Sequence, residues 1–141
     1  MIDLCRRNVV IGIASALGLV MSVLTLPSIA APPLDARKSD VAGIQVVVTP
    51  RPFGQAASNW EFEVVLDTHT KPLNDDLVRA SELIADGRSY APVGWQGDQP
   101  GGHHRKGTLS FPRPPAMPKV MEVRINGIGG AGVRRFRWDI Q

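Results

Sequence analysis

The segment Trp60-Glu-Phe-Glu-Val-Val-Leu66 repeats with a period of two: Trp60, Phe62, Val64 and Leu66 share one face, and Glu61, Glu63 and Val65 share the other. In a helix these four large side chains would spread around the axis, whereas a strand gathers them on one side. Glutamates on the second face mean that one side is buried and the other wet, as in an antiparallel sheet packed on a single core.

The same reading extends along the chain. Ile44–Thr49 is β-branched and ends at Pro50, which suits a first strand. Residues 119–125 alternate Met121, Val123 and Ile125 against Val120, Glu122 and Arg124. Residues 133–140 set Phe136, Trp138 and Ile140 against Arg135, Arg137 and Asp139. Thr108–Phe111 reads as a short strand stopped by Pro112. Asp86-Gly87 supplies the two positive-φ positions of a tight primed turn, which would place Leu83 opposite Tyr90. A helix over 74–85 capped by Asn74 competes with that hairpin; the strand reading over 81–85 is preferred, with a helical turn around 75–79. About seven short strands separated by turn residues indicate an all-β fold, a single immunoglobulin-like antiparallel β-sandwich over residues 41–141. Residues 31–40 are polar and non-periodic, and read as a flexible tether.

Residues 1–30 have the layout of a signal peptide: a basic start with Arg6-Arg7, an apolar run from Val9 to Leu26, and a small-x-small cleavage site at Ser28 and Ala30. The run reaches about the 18 residues at which an uncleaved helical anchor becomes an alternative. Arg6-Arg7-Asn8-Val9-Val10 resembles a twin-arginine signal, although an ordinary basic start is the simpler account. The expected location is periplasmic or secreted, with a membrane as partner only if the segment is retained.

Removing that segment takes away Asp3, Arg6 and Arg7, so the formal charge falls from +3 to +2. A nearly balanced chain with no basic run offers no track for phosphates, and no nucleic-acid partner is expected. Basic and aromatic residues do meet in Arg134-Arg135-Phe136-Arg137-Trp138, but alternation turns the rings inward and leaves the charges on a solvated strand that deters edge pairing. The single cysteine, Cys5, lies in the signal segment, so the remainder has neither disulfide nor thiol. About 110 residues still suffice for a core without such staples.

Chemistry is confined to loops. His69 lies in Asp67–Pro72, and His103 and His104 lie in the glycine-rich stretch 97–107. If successive strands run antiparallel, loops 67–78, 96–107 and 126–132 share one end. The opposite end then carries 50–59, the Asp86-Gly87 turn and the proline-rich connector 112–118. His69, His103 and His104 are therefore candidate ligands for copper or zinc, with nearby aspartates completing the set. The plainer alternative has a histidine donating to backbone carbonyls to hold the 96–107 loop over Trp95. Met117 and Met121 are weaker candidates for copper(I), Met121 being placed inward. Trp95, Asp98 and Arg105 are expected to contact a partner. No nucleophile elbow, cysteine nucleophile or diagnostic carboxylate pair argues for an enzyme.

Trp60-x-Phe-x-Val-x-Leu66, Thr68-His-Thr, Tyr90-x-Pro-x-x-Trp95-x-Gly97, Gly101-Gly-His-His-Arg105-x-Gly107 and Arg135-Phe-x-Trp138 together resemble an uncharacterised family of exported prokaryotic immunoglobulin-like domains. The resemblance implies a fold and a hairpin over 81–95, and no activity. The sequence thus leads to an exported, non-enzymatic binding module that meets an exported protein at the His69/His103/His104 end. A copper or zinc protein using those histidines and a purely structural domain are the alternatives.

Overall fold

The computed structural model describes residues 33–54 and 56–140. The chain divides into two compact units, residues 1–30 and 31–141, and the expected signal segment lies outside the described residues. Among the described residues the second unit has nine strands, one α-helical turn and a 3-10 turn at Ile128–Gly130: β1 (Arg37–Val41), β2 (Ile44–Pro50), β3 (Asn59–Thr68), α1 (Leu77–Ala80), β4 (Ser81–Ala85), β5 (Arg88–Tyr90), β6 (Gly94–Gly97), β7 (His104–Pro112), β8 (Val120–Ile125) and β9 (Arg134–Asp139). One sheet has the order β1-β2-β3-β7-β6 and the other β5-β4-β8-β9, with every pairing antiparallel. With β1 set aside, this is the A-B-E-D and C′-C-F-G arrangement of an immunoglobulin-like sandwich.

The alternation seen in the sequence is the alternation of burial. Trp60, Phe62, Val64 and Leu66 are buried in β3, and they meet Val46, Leu109, Phe111, Val123, Phe136 and Trp138 in one core. Phe62 contacts Phe111 edge-on with centroids 5.6 Å apart and Trp138 at 6.0 Å, so one ring touches both sheets. The buried hydrophobic side chains among the described residues lie between Ile44 and Trp138.

The hairpin at Asp86-Gly87 forms with φ of 45° and 81°, and Leu83 stands opposite Tyr90. Strand also prevails over helix at 81–85. Only Leu77–Ala80 is helical, and its cap is Asp76 rather than Asn74, with Asp76 Oδ1 accepting from the N–H groups of Val78 and Arg79.

Two boundaries differ from expectation. The tether over 31–40 is shorter, because Arg37–Asp40 belong to β1 and pair with β2 through an Ala42-Gly43 turn at φ 55° and 75°. An exposed edge strand carries no alternating apolar signal, and Ala-Gly is not a recognisable turn dipeptide. Strand β7 begins at His104 rather than Thr108. Its second residue, Arg105, occupies an inward position that sequence patterning reserves for apolar side chains, so the strand was disguised as loop.

The ends fall as the antiparallel reading requires. The segments 69–80, 98–103 and 126–133 lie together at one end, joined by bonds from Thr68 N to His103 O, Leu73 N to Gly102 O and Asn126 N to Ala80 O. The segments 51–58, 86–87 and 113–119 meet at the other, where Arg113 N donates to Ser58 O and Lys119 N to Asp86 Oδ1.

Candidate functional site

The histidine-bearing end is built on Thr68, the last residue of β3. Its buried hydroxyl accepts from the N–H groups of Thr70 and Lys71, which turns the chain sharply and presents His69 to solvent. Downstream, Leu73 donates to Gly102 O and accepts from Gly101 N, so segments 69–80 and 98–103 zip together like a two-residue ladder. The third segment joins through Asp75, whose carboxylate accepts from Gly129 N at 3.4 Å, and through Lys71 Nζ, which donates to Gly129 O at 3.1 Å. Gly129 sits at φ 65°, and a Cβ there would stand 2.3 Å from Ile44 Cδ1, so only glycine lets this loop settle on the core.

Arg105 occupies the middle of this end with 2% of its surface exposed. Its guanidinium donates to Asp75 O at 2.7 Å, to Leu73 O at 3.5 Å and, through Nε, to Asp98 O at 3.2 Å. Trp95 lies over it with the ring centroid 5.3 Å from Cζ, and the indole N–H also donates to Asp98 O at 3.0 Å. The ring fits because Gly107 has no side chain: a Cβ there would stand 2.5 Å from Trp95 Cζ2. Burial lowers the pKa of Arg105 by removing water from the cation, and Asp75, Asp76 and Asp98 act in the opposite direction.

The three histidines sit apart in role. His104, opening β7, stands opposite Asp67 of β3 on the outer face of the larger sheet, with Nδ1 2.5 Å from Asp67 Oδ1. With the Asp67 oxygen accepting, Nδ1 is the donor of this contact and Nε2 takes no part in it. His103 spends its carbonyl on Thr68 N and leaves its ring exposed, and His69 is exposed in its turn. Among the described residues no three histidine, cysteine or acidic side chains converge as a metal-holding group.

Two expectations about this end change. The residue that holds the 98–103 loop is Arg105 and not a histidine, because a guanidinium offers five donors in a fixed fork to several carbonyls at once. Arg105, expected to contact a partner, is buried with its guanidinium on backbone carbonyls. Trp95 and Asp98 belong to the same framework, Asp98 also accepting from Lys106 N through Oδ2 at 2.8 Å. Exposed side chains at this end include His69, Asn74, Gln99 and His103, of which Asn74 and Gln99 carry no sequence signal beyond lying in loops.

Comparisons were made with protein-family models, curated proteins and solved structures. The chain matches none of them. Its function therefore has to be argued from the site itself.

Proposed function

We propose that this protein is an exported, non-enzymatic binding module that engages a partner protein through its histidine-bearing end. The observation that carries this reading is the framework around Arg105. Two loops, 69–80 and 98–103, are tied to one buried cation and to each other, and the third, 126–133, is tied to the first through Asp75, Lys71 and Ala80. His69, Asn74, Gln99 and His103 are among the side chains that project from them. Loops fixed in advance lose little entropy on association, which is the physical requirement of a recognition surface carried on a rigid sandwich. Placement of a photo-crosslinking side chain at Gln99 or His103 should yield adducts with one partner, and placement at Pro115 should not. Adducts from Pro115 alone, or none at any position, would reject the reading.

A copper or zinc ion is the second candidate, and one observation favours it: a carboxylate on Nδ1 is the arrangement that orients a metal-binding imidazole, leaving His104 Nε2 as ligand. Calorimetric titration of the domain with copper(II) and zinc tests it. Stoichiometric heat that disappears in His104→Ala and at acidic pH is the expected sign, since protonated imidazole cannot ligate. Absence of heat would remove the metal from consideration.

A further inference from the structure

We infer that the opposite, proline-bearing end of the sandwich is a docking surface for an anionic lipid bilayer. The first observation is where the chain reaches the domain. Trp138 Nε1 donates to Asp35 O at 2.7 Å, and Arg37 Nε to Arg137 O at 3.0 Å. Trp138 stands opposite Met121 and Met121 opposite Ala85, which adjoins the Asp86-Gly87 turn. The strand that follows the apolar N-terminal stretch is thus threaded in beside the proline end, and the histidine end lies at the far side of the domain.

The second observation is charge. Segments 51–58, 86–88 and 113–119 carry four basic residues, Arg51, Arg88, Arg113 and Lys119, against one acidic residue, Asp86. The Asp86 carboxylate is itself occupied by the backbone N–H groups of Lys119 and Val120. Arg51 is drawn towards Glu61 and Glu63, and Asp139 towards Arg137, whereas the side chains of Arg88 and Lys119 make no ion pair among the described residues. Asp35 is a further carboxylate on this side among the described residues. Segments 69–80, 98–103 and 126–133 at the other end carry two basic residues against three acidic ones, so the two ends differ in sign.

The third observation is apolar exposure. Met117, in the connector beside Lys119, is 58% exposed, more than any other large hydrophobic side chain among the described residues. A shallow groove of about 250 Å³ runs beside it, its lining including Asp86, whose carboxylate accepts from backbone N–H groups, together with Arg88, Tyr90, Pro114, Pro115 and Pro118. Cations around an exposed methionine and a phenol are what an interfacial surface needs. The charges meet lipid headgroups, and the apolar groups enter the boundary beneath them. Among the described residues no helix is long and apolar enough to cross a membrane.

The test is co-sedimentation of residues 31–141 with vesicles of phosphatidylcholine, with and without phosphatidylglycerol. Binding is expected to the anionic vesicles only and to weaken as salt is raised. The double variant Arg88→Gln/Lys119→Gln should lower the partition coefficient about 30-fold. Met117→Asp should lower it without touching either cation. Arg79→Gln, which removes one charge at the far end, should leave it unchanged. No binding to anionic vesicles, equal binding to both kinds, or an equal loss with Arg79→Gln would overturn the proposal.

Discussion

The indole of Trp95 lies over the guanidinium of Arg105, with the ring centroid 5.3 Å from Cζ, and both side chains donate to the carbonyl of Asp98. One carbonyl shared between a ring N–H and a buried cation fixes the start of the 98–103 loop. The remaining guanidinium bonds fix the turn before α1. Replacing Arg105 by Met keeps the apolar stem but strands the carbonyl of Asp75 and leaves those of Leu73 and Asp98 with only Gly101 N and the Trp95 indole as donors. The expected cost is about 2–4 kcal/mol in urea-induced unfolding, with faster amide exchange over 98–103. Unchanged exchange in that loop would mean that the framework does not depend on Arg105.

Gly107→Ala tests the other half of the contact. Its Cβ would stand 2.5 Å from Trp95 Cζ2 and 2.7 Å from Gln96 O, and the backbone oxygen cannot yield as a side chain can. A loss of about 1–3 kcal/mol is expected, together with a change in near-ultraviolet circular dichroism as the indole leaves the cation.

Arg134 performs a parallel task where β1 joins the sandwich. Buried at 3% exposure, it donates to Ile44 O at 2.9 Å and Val41 O at 2.8 Å, tying the β1–β2 turn to β9. Arg134→Met should release this hairpin, measured as protease cleavage between residues 36 and 44 while the core stays folded. Resistance equal to that of the parent would show that strand pairing alone holds β1.

Ala42 adopts φ 55°, a conformation that a side chain with Cβ enters at a cost. Ala42→Asn creates the Asn-Gly dipeptide favoured in this turn and should raise stability by about 0.5–1 kcal/mol. Thermal unfolding of the two forms decides the point.

Glu122 lies between two arginines on the outer face of the smaller sheet. Burial acts to raise its pKa, but hydrogen bonds from Arg124 Nε and Arg135 Nη1 outweigh it, and the carboxyl is held below the usual glutamate range. Because the folded value is the lower one, the stabilisation is present above the unfolded value and disappears as the pH falls through the folded one. Glu122→Gln should therefore cost about 1–2 kcal/mol at neutral pH and nothing in strong acid. A pH-independent difference would show that packing, not charge, is at stake.

The legible parts of the fold were those where side-chain period and turn chemistry agree. Trp60–Leu66 announced a half-buried strand, Asp86-Gly87 announced a hairpin with Leu83 opposite Tyr90, and antiparallel order placed loops 67–78, 96–107 and 126–132 at one end. Illegible were β1, an exposed edge strand without an apolar period, and the first turn of β7, where Arg105 replaces an apolar residue. That the three loops share an end was legible, but not what holds them there. The histidines drew the eye because they are rare, whereas a buried arginine looks like any surface arginine until its carbonyl partners are known.

The sequence by itself determined that this chain builds a cysteine-free β-sandwich, because alternating apolar side chains can be buried together only on strands and primed turns join those strands in register. Tertiary structure alone decided which polar residues go inside. Arg105 and Arg134 are accepted there because carbonyls from segments distant in sequence surround them, and those carbonyls come together only once both sheets have closed on the core. The same closure set Asp67 beside His104, and it placed the incoming chain and the most exposed methionine away from the histidine loops.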